Sequence, residues 1–194
     1  MRCRIPVALM IALASHATAA AEVDVFQVAK NARATAPIRV AAAAPFKLPA
    51  SFKGLTEQQA EARLIAEHPS AFLVYGGDLL EAGRVEDALL MYLVGMFRYG
   101  FYTAVNARST NNNAELDAMF PVMMPLHQAS LDDNRMDPKR IIDRLGRVLA
   151  WDAAHDNRFT SKTKYAAEYQ KQRAEMEKER QKALEVLKSI PPLH

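Results

Sequence analysis

From residue 56 onward, apolar residues recur every three or four positions, the period of helices that turn one face to a core. Ala60, Leu64 and Ile65 make a first stripe. Thr56 and Gln59 introduce it at capping-box spacing, with Leu55 placed as a hydrophobic staple. His68-Pro69 closes that helix, because the residue before a proline is pushed out of helical backbone. Phe72, Tyr75, Gly76, Leu79 and Leu80 form the next stripe, which Gly83 stops. The helix opening at Val85 has two apolar faces: Ala88, Tyr92, Gly95 and Tyr99 on one, Leu89, Leu93, Met96 and Phe97 on the other. Such a helix is expected to run through the middle of a domain.

Beyond Gly100 the pattern changes. A short piece over 103–108 is followed by Asn111-Asn112-Asn113, which reads as a polar loop. Residues 115–131 are apolar at Leu116, Met119, Phe120, Val122, Met123, Leu126 and Leu131, yet Pro121 and Pro125 interrupt them, so a broken or kinked helix is expected, ended by Asp132-Asp133-Asn134. Asp137-Pro138 is an N-cap acid followed by a first-turn proline. Ile141, Ile142, Leu145, Val148, Leu149 and Trp151 supply the stripe behind it. A last helix is predicted over 161–190, stopped by Pro191-Pro192, with an almost wholly charged middle. It either projects into solvent or lies across the body by Tyr165, Tyr169, Leu184 and Leu187. The expected fold is all-α: a helical hairpin embedded in an irregular multi-helix domain over 54–160, followed by the charged helix.

The N-terminal residues follow a different order. Arg2 and Arg4, an apolar run over 5–14 and Ala17-Thr18-Ala19 have the sequence of a secretory signal peptide, residues 1–19. A periplasmic or secreted location is expected, with the mature chain beginning near Ala20. The apolar run of about 10 residues is short of the roughly 20 that span a bilayer. No later stretch reads as long enough, so no stable membrane insertion is expected. The single cysteine, Cys3, falls within the signal, which leaves a mature chain without disulfide or thiol chemistry. Residues 20–53 lack a period, and Pro37, Pro45 and Pro49 flank the run Ala41 to Ala44, the composition of an extended arm. Val23, Val25, Phe26, Val28 and Phe46 are apolar points by which the arm can dock.

The formal charge of +3 rests on 25 Lys plus Arg against 22 Asp plus Glu. Its distribution is uneven: Lys30, Arg33, Arg39, Lys47 and Lys53 form a stretch without acids, the middle is acidic, and the C-terminal helix is basic. The basic ends either meet an anionic envelope surface, lie on the acidic body, or are simply solvated. Nucleic acid is not expected as a partner, since the basic residues are not interleaved with aromatics on one face.

Residues 69–102 have the length of one helix-turn-helix repeat of about 34 residues. Phe72, Gly76, Leu79 and Gly83 fall at the large, small, large and turn positions of the first helix, and Ala88, Tyr92 and Gly95 at the small, aromatic and small positions of the second. On these residues the segment resembles a tetratricopeptide repeat, in a single copy, with Gly100 where the family usually has a terminating proline. The resemblance implies a helical hairpin used for protein interaction. A single repeat does not bury its own face, so flanking helices must complete the core.

Few residue sets suggest chemistry. His68, His127, His155 and His194 are isolated and lack the spacing of a zinc helix. Asp152, His155 and Asp156 share a helix end as a weak metal or acid-base candidate, against the simpler reading of a histidine favourable to the helix dipole. Asp78, Glu81 and Glu86 near the hairpin turn read as solvated acids. Met119, Met123 and Met124 beside two prolines are either an adaptable groove or gap-fillers. Arg98, Tyr99, Phe101 and Tyr102 have the composition of an interaction hot spot, although a core role suits the same residues. No catalysis, metal or cofactor is expected. The function read from the sequence is an exported protein-interaction module, an envelope adaptor or a periplasmic immunity protein that binds a toxin, with Arg98, Tyr99, Phe101 and Tyr102 binding the partner. The alternative is a binder of a small molecule or an anionic envelope polymer such as peptidoglycan fragments. The oligomeric state is left open.

Overall fold

The computed structural model describes residues 46–106, 112–136 and 138–189. The signal-peptide reading, most of the arm, Asp137, Pro191-Pro192 and His194 lie outside them. Six helices and no strand occur among the described residues: α1 (Glu57–Leu64), α2 (Ser70–Glu81), α3 (Val85–Val105), α4 (Asn112–Met136), α5 (Pro138–Ala154) and α6 (Ala166–Ser189).

Local signals explain most boundaries. The Thr56 hydroxyl accepts from Gln59 N–H while the Gln59 side chain accepts from Thr56 N–H, so both halves of the capping box are present. Gly83 takes φ +76°, and Gly83 N–H and Arg84 N–H donate to Leu80 O and Leu79 O, the paired bonds of a Schellman ending. The three-residue connection turns α3 back along α2. At their crossing a Cβ on Gly95 would stand 2.7 Å from Phe72 Cβ, and one on Gly76 would stand 3.2 Å from Ala88 O, so both glycines set the distance between the helices.

α3 is the central helix, packed on α2, α4, α5 and α6, while α1 packs on α2 alone. By length and composition it is also long enough and apolar enough to cross a membrane, contrary to the expectation that no segment beyond the signal is. Its apolarity has a local cause: 61% of that window lies inside the fold. Leu89, Tyr92, Leu93, Val94 and Phe97 are core residues together with Phe72, Leu73, Met119, Leu126, Ile142, Leu145 and Val148.

Several expectations change. Gly100 does not end α3; a Cβ there would come within 2.8 Å of Gln172 Nε2, so this glycine admits α6 beside a continuing helix. The expected loop at Asn111 to Asn113 is instead helical from Asn112. α4 runs unbroken to Met136 with both prolines inside. Asp117, Pro121, Pro125, Gln128 and Asp132 form its solvent stripe, so water reaches the Asp117 and Pro121 carbonyls that the prolines leave without an N–H partner. Regular α6 begins at Ala166, and the turn opening at Ser161 leads into it: the Ser161 hydroxyl accepts from Lys164 N–H as an N-cap does, and Ser161 O accepts from Tyr165 N–H. The charged helix lies across the body: Tyr169 and Met176 are buried, and Arg173 and Arg180 reach back to the α5 carbonyls of Leu149 and Ile142. Residues 46–53, expected as the end of the arm, are packed on the domain, with Phe52 buried, its N–H on Asp78 and the Ala50 and Ser51 carbonyls on Arg63.

Candidate functional site

The last turns of α3 carry all four residues expected to bind a partner, and the helical twist sends them in three directions. Arg98, Phe101 and Tyr99 are 1%, 1% and 4% exposed, and Tyr102 is half-buried. As placed, the first three have almost no surface to offer a partner. Phe101 packs on Tyr169 of α6, ring centroids 5.5 Å apart. Arg98 and the tyrosine pair enter two separate polar clusters.

Arg98 points to the C-terminal end of α5. Its Nε donates to Asp152 Oδ1 at 2.8 Å, and Nη2 donates to the carbonyls of His155 and Asp156. The guanidinium lies 5.2 Å from the Phe72 ring and 5.1 Å from the Trp151 ring. Asp152, fully buried, accepts from Tyr169 Oη at 2.6 Å and pairs with Lys162 Nζ at 3.1 Å. Lys162 also donates to the carbonyls of Asp152 and His155. Burial lowers the pKa of both Arg98 and Lys162, with Asp152 opposing the shift. The carbonyls at and just beyond the C-terminal end of α5 thus receive two cations, which complements the helix dipole.

Tyr99 and Tyr102 turn to the opposite side and close on Glu115 of α4. Tyr99 Oη donates to Oε2 at 3.2 Å and Tyr102 Oη to Oε1 at 3.1 Å. Burial first, then the Glu115 charge, pushes both phenols up, that of Tyr102 to about 12. Beside them lies His68, with the rings of Phe46, Tyr102, Phe159 and Tyr99 at 4.9, 4.9, 5.2 and 6.0 Å. Its Nδ1 accepts from Ser70 N–H at 3.1 Å and lies 2.9 Å from the Ser70 hydroxyl. The ring is therefore the neutral Nε2–H tautomer, with Nε2 facing Glu115 Oε2 at 3.8 Å, beyond hydrogen-bond range. Desolvation by burial lowers the His68 pKa to about 4, and the Glu115 oxygens are already taken by the two tyrosines.

A third cluster joins α3, α4 and α5. Arg144, 1% exposed, donates to Glu86 and to Asp133 at 2.9 Å, and Arg140 and Arg147 stand 3.7 and 3.6 Å from Glu86. Its arginines hold the Asp133 carboxyl below its ordinary value despite burial. The remaining turn acids act as ties: Asp78 holds Ser51 and Phe52, and Glu81 pairs with Lys53 at the surface.

The Asp152, His155 and Asp156 candidate does not converge. Asp152 faces inward to Arg98, His155 Nδ1 donates to Trp151 O at 2.6 Å with its Nε2 toward Glu61, and Asp156 caps Asn157 N–H. Among the described residues no group of three or more His, Cys, Asp or Glu is placed to hold a metal ion. Met119 is buried in the core, while Met123 and Met124 are half-buried. What the sequence reading missed is Phe120, 46% exposed, flanked on one side of α4 by exposed Pro121 and Pro125 and half-buried Met124. Its helical spacing was the available signal. A shallow groove of about 250 Å³ between α5 and α6 is lined by Leu149, Gln170, Arg173, Ala174 and Glu177. Comparison with family models, with curated proteins and with solved structures finds no match for this chain.

Proposed function

We propose that this chain is an exported helical protein-interaction module without a catalytic role, an envelope adaptor or an immunity protein that works by binding. The observation that carries this reading is the apolar strip on α4. Phe120, Pro121, Met124 and Pro125 lie at helical spacing on a half-buried to exposed face, and Phe120 is 46% exposed. An aromatic side chain bordered by proline and methionine is the composition of an adaptable protein contact. Of the charged and hydrogen-bonding groups of catalytic type, Asp152, Glu115 and Arg98 are engaged in joining helices and His68 in capping α2. Export rests on the pattern of residues 1–19 alone. The burial of Tyr99 and Phe101 takes support from the alternative, an envelope-polymer binder built around those aromatics.

The test is affinity capture of the C-terminally tagged chain, expressed at native level, from the envelope fraction, alongside Phe120→Asp. One stoichiometric protein partner that the variant loses at least tenfold supports the reading. Equal capture by both forms, or recovery of the chain alone, contradicts it.

A further inference from the structure

His68 does more than fill an aromatic box. α2 begins after Pro69, which has no side-chain cap to give, and the first amide of the helix, Ser70 N–H, finds its acceptor in His68 Nδ1. The same ring is the point on which four segments meet: Phe46 from the lead-in segment, Tyr99 and Tyr102 from α3, Glu115 from α4, and Phe159 from the α5–α6 connection. That connection is anchored close by through Arg158 N–H on Ile65 O at 2.7 Å.

We propose that His68 is an acid-operated latch: a proton on Nδ1 uncaps α2 and releases the Phe46 and Phe159 segments that close over the end of α3. The tautomer decides the direction. Nε2 already bears its hydrogen on the Glu115 side, so an added proton goes to Nδ1, the atom Ser70 N–H donates to. The Ser70 hydroxyl can rotate and accept from Nδ1–H; the amide cannot, and it loses its partner. The charge that appears sits at a helix N-terminus, against the macrodipole, inside a ring of aromatics. The titratable groups facing the ring are Glu115, Tyr99 and Tyr102, and both tyrosines stay protonated throughout the acid range. When the latch opens, the aromatic end of α3 becomes accessible.

The sign follows from linkage. A histidine titrating at about 4 in the closed form and 6.5 when released leaves the closed form at full strength above pH 6.5. That preference weakens as pH falls to about 4 and is constant below. The opening equilibrium should rise roughly 30-fold between pH 8 and pH 5.

Amide hydrogen exchange on the full chain, corrected for intrinsic rates, tests this at pH 8 and 5. Exchange at Ser70, Arg158 and Thr160 should accelerate roughly 30-fold, with the amides of 89–97 in α3 unchanged. His68→Asn keeps an acceptor near the Nδ1 position without a proton to gain, and should abolish the pH dependence. A wild-type chain in which α3 accelerates equally, or in which Ser70 does not respond, overturns the proposal, as does an unchanged response in His68→Asn. If that variant does not fold, the nitrogen shifts of the wild-type ring decide. A neutral Nε2–H form persisting to about pH 4 supports the latch, and an imidazolium already present at pH 6.5 overturns it.

Discussion

Arg98 shows how one residue type supports opposite readings. In sequence it stands beside three aromatics at a helix end; in the fold it is the buried partner of a carboxylate 54 positions away. The two ends of that ion pair are unequal. Asp152 is held by Arg98, Lys162 and Tyr169, whereas Arg98 has Asp152 as its carboxylate. Removing the acid leaves two buried cations without a counter-charge, and breaking such a pair costs about 3–5 kcal/mol. Asp152→Asn should therefore lower stability by that amount in urea unfolding. Arg98→Met, which leaves Asp152 its lysine and tyrosine, should cost clearly less. An equal loss in the two variants would mean that Lys162 does not share the carboxylate.

At the scale of elements, local chemistry decided what could be read in advance. The capping box at Thr56, the stop at Gly83 and the two-faced helix after Val85 depend on neighbours within four residues, and each is found where the pattern places it. Prolines and glycines were harder, because their effect depends on what faces them. Pro121 and Pro125 do not interrupt α4 when they share its solvent side, and Gly100 admits α6 instead of ending α3. The candidate site was the least legible part. Arg98, Tyr99 and Tyr102 were picked out by composition, but their inward direction depends on Asp152 and Glu115, which no local pattern connects to them. Two glycines make the dependence measurable. Gly95→Ala would place a methyl 2.7 Å from Phe72 Cβ, and overpacking of this kind should outweigh the helix-propensity gain and destabilise by about 1–2 kcal/mol. Gly77→Ala, inside α2 with nothing within 4 Å, should stabilise by about 1 kcal/mol. Opposite signs of the change in thermal midpoint are the expected result.

For the molecule as a whole, the buried charged groups lie between helices and an apolar strip on α4 lies outside. Three clusters centred on Asp152, Glu115 and Arg144 join α3 to α5 and α6, to α4, and α5 to α4. This arrangement gives a domain without disulfides several long-range ties besides its core, and leaves Phe120 of α4 exposed. Hydroxyl-radical footprinting of the native chain at neutral pH tests this division most directly, since Phe and Tyr react according to their exposure. Phe120 and Phe159, 46% and 44% exposed, should be modified readily, while Tyr99 and Phe101 should stay protected. Rapid labelling of Tyr99 and Phe101 with Phe120 protected would contradict the account, and would return the partner surface to the end of α3.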